Sequence, residues 1–274
     1  MTPFRTPLRG IVISGASRGL GAALALRFAA PGRRLLLLAR SAAALEAVAA
    51  SCRAQGAEAL AVPLDITDAA EVAAALAAFE AGGPIDLVIA NAGISAGTTP
   101  DGAPEDAAAT ARQVAVNLGG AINLVAPLLP GMLARRSGQI GLVASIAGFR
   151  GLPDLPGYCA SKAGLIAWGE ALRAAHRRRG LRVSVITPGF FDSEMGDRFL
   201  GQRPFRLTLE AATTRIHAGL LRGDASIAFP WPMVLVLKLL SVLPARVSDA
   251  AVRLMRIRIV LDRRENGAPS AGEG

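Results

Sequence analysis

Gly10-Ile11-Val12-Ile13-Ser14-Gly15-Ala16-Ser17-Arg18-Gly19-Leu20-Gly21, running straight into the alanine-rich residues 22–29, reads as a short buried strand, a glycine turn and a helix. Glycine lets a backbone turn tightly and approach a pyrophosphate, and amides at a helix N-terminus add donors and positive dipole. The strand before and the helix after turn a weak glycine pattern into a dinucleotide-binding turn. Its expected cofactor contacts are Ser14, Gly15, Ser17, Arg18, Gly19, Leu20 and Gly21.

Outward from that stretch, short apolar runs recur at 35–38, 59–62, 87–90, 140–143 and 183–186. Strands without polar alternation are covered on both faces, and alanine-rich stretches of helical length separate them. The expected fold is α/β, a doubly wound parallel sheet with helices on both faces (a Rossmann fold) in a single domain. Asp68 with Glu71 reads as a helix start, Gly82, Gly83 and Pro84 as its stop, and Ile85 as the opening of the next strand. A chain of 274 residues suits one such unit, and 52% apolar but 4% aromatic residues suit helices packed closely on a sheet. The domain is expected to span 1–262, with a substrate lid around 190–222, an apolar and then basic segment over 227–262, and a disordered tail over 263–274.

The second run ends Leu38-Ala39-Arg40, about 20 residues beyond the glycines, where an NAD-binding fold places an acid on the ribose hydroxyls. No acid stands there. Arg40 and Arg18 offer guanidinium groups suited to a 2′-phosphate, with no acidic competitor expected beside them, which favours NADP over NAD. The alternative is that Arg40 only covers the sheet edge.

Tyr158 is the only tyrosine, and it stands four residues before Lys162, one of two lysines among 30 basic residues. A helix puts both side chains on one face, where a cation lowers the phenol's pKa towards proton exchange. A compact ammonium in a chain that otherwise uses arginine points to a site that needs one. Taken alone, the pair also fits an ordinary solvated helix face.

The motifs occur together: Gly15, Gly19 and Gly21 at the turn, Asn91-Ala92-Gly93 after the fourth strand, Asn117 in the next helix, Ser145 after the fifth strand, Tyr158 with Lys162, and Pro188-Gly189 after the sixth. With them the chain resembles the short-chain dehydrogenase/reductase family from Gly10 to about Met195. The resemblance implies a catalytic tetrad. Tyr158 would exchange a proton with the substrate oxygen and Ser145 would hydrogen-bond the same atom. Lys162 would lower the phenol's pKa and hold the nicotinamide ribose, and Asn117 would position a water relay through its backbone. The resemblance also implies that Asp65 and Ile66 meet the adenine, that Asn91, Ala92 and Gly93 border the cofactor, and that Pro188, Gly189, Phe191 and Ser193 lie near the nicotinamide. Ser14, Ala90 and Ser193 stand where the family usually has threonine, asparagine and threonine, and none of these removes a catalytic group. A homodimer or homotetramer is implied as well.

Cys52 and Cys159 are too few for a disulfide framework, and no His/Cys cluster has metal-ligand spacing, so no metal and a cytoplasmic setting are expected. Cys159 reads as a small helix residue, because neither His176 nor His217 has a base motif around it. The first ten residues lack the charged and then apolar pattern of a signal peptide. The net charge of +9 comes largely from dispersed arginines such as Arg135, Arg136 and Arg177, which suit helix ends, and no nucleic-acid motif accompanies it.

Phe190, Phe191, Met195, Phe199 and Phe205 suggest an apolar lid, with Phe149, Leu152 and Leu155 opposite, so the expected substrate is a small hydrophobic carbonyl or alcohol. The run 227–243, interrupted by Pro230, Pro232 and Lys238, makes a poor transmembrane helix. After it, Arg246, Arg253, Arg256, Arg258, Arg263 and Arg264 mix with Val252, Met255, Ile259 and Leu261, as in a basic amphipathic helix resting on anionic lipid. A subunit interface and a pocket cover are the other readings of that segment. Three functions stay open. They are an NADPH-dependent carbonyl reductase or alcohol dehydrogenase, a 3-oxoacyl-carrier-protein reductase, and a non-catalytic NADP-binding or scaffold protein.

Overall fold

The computed structural model describes residues 8–97, 105–197, 199–200, 203–254 and 258–259. The first half runs β1 (Gly10–Ser14), α1 (Gly19–Phe28), β2 (Arg34–Ala39), α2 (Ala42–Ala54), β3 (Glu58–Pro63), α3 (Ala69–Glu80) and β4 (Leu87–Ala90). Next come α4 (Ala107–Val114), α5 (Gly120–Val125), α6 (Leu129–Ala134), β5 (Gly138–Val143), α7 (Pro156–His176) and β6 (Leu181–Pro188). The chain continues through α8 (Glu194–Asp197), β7 (Phe199–Leu200), α9 (Leu209–Arg222), β8 (Ser226–Phe229), α10 (Trp231–Val242), α11 (Ala245–Leu254) and β9 (Arg258–Ile259).

Seven strands form one sheet in the order β3-β2-β1-β4-β5-β6-β8, parallel at every pairing. Side chains alternate across a strand, and here both faces are apolar. Ile11, Ile13, Leu35 and Leu37 pack towards α1, α2 and α9, while Val12, Leu36 and Leu38 pack towards α3, α5, α6 and α7. That explains why the strands read as continuous apolar runs. The strand order reverses between β1 and β4, which opens a crevice at the carboxyl ends of those strands.

Four details differ from the sequence reading. Helix α1 begins at Gly19 rather than at residue 22, so the second and third glycines of the turn lie in its first turn. Residues 227–229, expected in the apolar C-terminal segment, are instead part of the edge strand β8, whose Ile227 and Phe229 are buried. The expected lid of 190–222 divides: α9 is a core helix, with Ile216 and Leu220 fully buried in the cluster that also holds α1, and only the part before it covers the crevice. The tail at 263–274 and residues Arg256, Met255 and Leu261 lie outside the described residues.

The start of α3 is as expected, with the Asp68 carboxylate accepting from the amides of Ala70 and Glu71 at 2.9 Å each. Strand β4 covers the expected apolar run 87–90 rather than opening at Ile85, and Asp86 just before it ties two strands together. Its buried carboxylate accepts from Arg9 N at 2.8 Å and Gly10 N at 2.9 Å, just where β1 begins. Asp86→Ala would leave those amides without their acceptor, at a cost of about 2 kcal/mol. A melting temperature lower by roughly 5 °C is expected. An unchanged melting curve would show that solvent satisfies both amides.

Among the described residues, the helical run Ala107–Ala134 is long and apolar enough by length and composition to cross a membrane, yet its Leu124, Val125, Leu128 and Met132 are buried beside the sheet. These residues make its inner face part of the core, while Val114 and Ile122 stay exposed. Helix α10, the centre of the apolar C-terminal run, has 12 residues, too few to span a bilayer.

Candidate active site

The glycine turn is braced from the end of β4. Ser14 Oγ accepts from the amides of Asn91 (3.0 Å) and Ala92 (3.1 Å), and Asn91 Nδ2 donates to the carbonyls of Ser14 (3.0 Å) and Gly15 (3.2 Å). A serine hydroxyl therefore suffices where the family usually has threonine. A Cβ on Gly21 would stand 2.1 Å from Gly15 O, so the turn closes only with glycine there. Gly19 has φ +54° and a Cβ on it would meet nothing within 4 Å, which leaves open room directly over the turn. Arg18, the N-cap of α1, gives no side-chain cap, and Gly19 and Leu20 of the first turn line the space beside it.

A five-residue π-helix, Ala115–Gly119, joins α4 to α5 and holds Asn117 in the interior. Asn117 Oδ1 accepts from Ile94 N at 2.7 Å, and its Nδ2 donates to Ile94 O at 3.0 Å and Ser161 Oγ at 2.9 Å. The side chain thus clamps the loop after β4 to α7, and π-helical turns of this kind are frequent at functional sites. The first turn of α7 is held by Glu105, whose carboxylate accepts from Gly157 N at 2.7 Å. Helix α7 then presents Tyr158 and Lys162 one turn apart, with Lys162 Nζ 5.7 Å from the centroid of the phenol ring. Nζ donates to Val143 O at 2.8 Å at the end of β5, and Ser145, just beyond, hydrogen-bonds the phenol.

These groups meet in one cavity of about 1730 Å³. Ser14, Gly15, Ser17, Arg18, Gly19, Leu20 and Arg40 line it, as do Asp65, Ile66, Asn91, Ala92 and Gly93. Ser145, Tyr158, Lys162, Pro188, Gly189, Phe191 and Ser193 line its other end. Gly21 and Asn117 stand behind the wall and act on it through neighbours. Of the expected apolar lining, Leu152, Leu155, Phe190, Met195 and Phe205 are in place. Phe149 is turned away, packed against the core and under Lys238 Nζ at 4.8 Å, and the side chain of Phe199 lies outside the described residues. The reading of the residues missed Pro232, Met233 and Val236 of α10 and Leu254 of α11, which complete the apolar end; nothing in an apolar run marks which residues will face a cavity.

One expectation about the arginines is corrected. Arg18 has an acidic competitor, Glu194 of α8, whose Oε2 lies 2.6 Å from Nη1, while Asp65, its pKa lowered first by hydrogen bonds from Thr67, also feels the charge of Arg40. Both acids come from distant parts of the chain, so local sequence around the arginines does not announce them. The Arg18–Glu194 pair is largely exposed on both sides, which makes it weak and exchangeable.

The short chain dehydrogenase family model matches residues 9–203. The chain belongs to that family. An uncharacterised oxidoreductase of Myxococcus xanthus is 36% identical over 249 residues, covering 90% of this chain and 98% of its own. The ketoacyl reductase HetN of Nostoc is 36% identical over 66% of this chain and 62% of its own length. Among solved structures, levodione reductase superposes with a TM-score of 0.71 at 29% identity, over 81% of this chain and 93% of its own. This short-chain dehydrogenase is accordingly an oxidoreductase that works on C=O or CH–OH groups with a nicotinamide cofactor. The open room over Gly19, the helix N-terminus of α1 at the cavity wall and a cavity larger than the roughly 300–1,000 Å³ of ordinary ligand sites fit a dinucleotide plus a substrate.

Electrostatics in this short-chain dehydrogenase differ from the simple expectation that Lys162 depresses the phenol. Burial pushes Tyr158 up to about 12, offset in part by the Ser145 hydrogen bond. Burial also lowers Lys162 from 10.5 to about 8. Cys159 is buried, its Sγ accepts from Leu152 N at 3.4 Å, and burial pushes its thiol up, as suits a packing residue.

The Lys162 shift sets a pH dependence. Between pH 8 and 10.5 the unfolded chain holds the Lys162 proton while the native chain does not, so this residue's contribution makes stability rise with pH across that window. Below about pH 8 the penalty is complete, on the order of 3 kcal/mol. Lys162→Met removes it. In urea unfolding of the cofactor-free protein, the variant should gain most over wild type below pH 8, and the gain should shrink towards pH 10.5. A difference that does not vary with pH would refute the depressed pKa.

Proposed function

We propose that the protein is an NADP(H)-dependent reductase of hydrophobic ketones or aldehydes, working equally in the alcohol-oxidising direction, with Tyr158 as general acid and base. The observation that carries this reading is the meeting of Ser145, Tyr158 and Lys162 at the apolar end of the cavity whose other end holds the glycine turn. A bound nicotinamide supplies or accepts the hydride at that junction. Tyr158 Oη gives its proton to the carbonyl oxygen, Ser145 Oγ hydrogen-bonds the same oxygen, and Lys162 turns from Val143 O to the cofactor ribose. Arg18 and Arg40 hold the 2′-phosphate, Arg18 exchanging Glu194 for it. Phe190, Phe191, Leu152 and Leu155 favour an apolar substrate and exclude water.

The test is NADPH oxidation by purified protein against aliphatic, aromatic, steroid and acyl-thioester ketones, with NADH as comparison. NADPH-preferring turnover of an apolar ketone is expected. Tight NADPH binding without turnover across the panel would point to a binding role instead. A second reading, a 3-oxoacyl-carrier-protein reductase, is favoured by the +9 net charge, which suits an acidic carrier, and by the likeness to a ketoacyl reductase. Turnover of carrier-linked but not free ketones would select it. Reduced cytoplasmic surroundings and a homo-oligomeric state accompany either reading.

A further inference from the structure

Helix α10 carries an apolar stripe on the outside of the protein. Trp231, Leu235, Leu239 and Val242 follow at steps of four, four and three residues, and are 73%, 49%, 54% and 76% exposed. The same helix buries Leu237 and Leu240 on its inner side, so apolar residues lie on its outer as well as its inner face, with Lys238 and Ser241 the exposed polar positions. Leu243, Val247 and Leu254 extend the patch across the loop and α11.

Two observations say what covers it. The first is charge. Lys238, Arg246 and Arg253 flank the patch, and the acid among them, Asp249, is already paired with Arg150. A second copy meeting this face about a two-fold axis would set these cations against each other, whereas anionic headgroups would complement them. The second is continuity with the cavity. Pro232, Met233, Val236 and Leu254 line the apolar end, and Val236 and Leu254 are also exposed, so the mouth opens through the patch itself.

We infer that the α10–α11 face seats the protein on an anionic lipid surface, with Trp231 at the level of the headgroups and the cavity mouth against the acyl region. An apolar substrate then passes from lipid to Tyr158 without crossing water. The docking is independent of the reductase reading; only the delivery of substrate rests on it.

The test uses the full chain with vesicles of roughly three parts phosphatidylcholine to one part phosphatidylserine, and with phosphatidylcholine alone. Co-sedimentation with the anionic vesicles, weakened by salt, is expected. In a Trp168→Phe background, Trp231 emission should shift to the blue on adding them. Leu235→Asp with Leu239→Asp, both outside the cavity lining, should lower partitioning on the order of a hundredfold, about tenfold for each leucine withdrawn from lipid. The double variant should reduce a water-soluble ketone within about twofold of wild type. No co-sedimentation at low salt overturns the inference. So does binding that survives the double variant, and so does self-association that this variant abolishes without any lipid binding. Vesicle binding with no turnover of any ketone in the panel by either protein would leave the docking standing and remove the reductase reading.

Discussion

Tyr158→Phe is expected to lower kcat/KM for ketone reduction by roughly a thousandfold, within the range for loss of a positioned general acid. The phenylalanine ring retains the packing of α7 against the cavity wall, and Ser145, Lys162 and the glycine turn are untouched, so NADPH binding should stay within about twofold of wild type. The hydroxyl is therefore tested without disturbing the cradle. Its pKa of about 12 in the cofactor-free protein adds a directional signature. Reduction needs the phenol, which is present throughout the working pH range, so its rate should not titrate with Tyr158 below pH 9. Alcohol oxidation needs the phenolate, so its kcat/KM should climb with pH, by up to roughly tenfold per pH unit. A variant keeping a tenth or more of wild-type reduction would show that another group delivers the proton.

Arg40→Asp is expected to shift the ratio of kcat/KM for NADPH over NADH by two to three orders of magnitude. A charge-assisted hydrogen bond to the 2′-phosphate contributes about 1.5–3 kcal/mol, and the new carboxylate adds repulsion to one cofactor and a ribose-hydroxyl acceptor for the other. Arg40 is exposed at the end of β2, so the fold should tolerate the change. Steady-state kinetics with both cofactors checks it. An unchanged ratio would mean that Arg40 only covers the sheet edge and that cofactor choice lies with Arg18 or elsewhere.

The fold was legible because its signals are local and repeated. Apolar runs such as 35–38 can be satisfied only between two layers of helices, and the glycine turn has a steric reason at Gly21 that no side chain meets. The positions of Ser145, Tyr158 and Lys162 were legible as an ordered set of motifs, and they converge in one cavity. Their electrostatics were not. A tyrosine and a lysine one helical turn apart suggest a depressed phenol, but the desolvation that raises Tyr158 and lowers Lys162 comes from the whole surrounding structure.

The amino-acid sequence by itself determined the parallel α/β layering, the dinucleotide turn and the identity of the polar groups around it, since these follow from periodicity and from residue types at short spacing. Only the tertiary structure decided that α9 is core rather than lid, that Glu194 pairs with Arg18, and that α10 is both cavity wall and outer surface. Each of these depends on which face of an element meets a partner far away in the chain. An apolar or acidic residue looks the same in sequence whichever way the packing turns it.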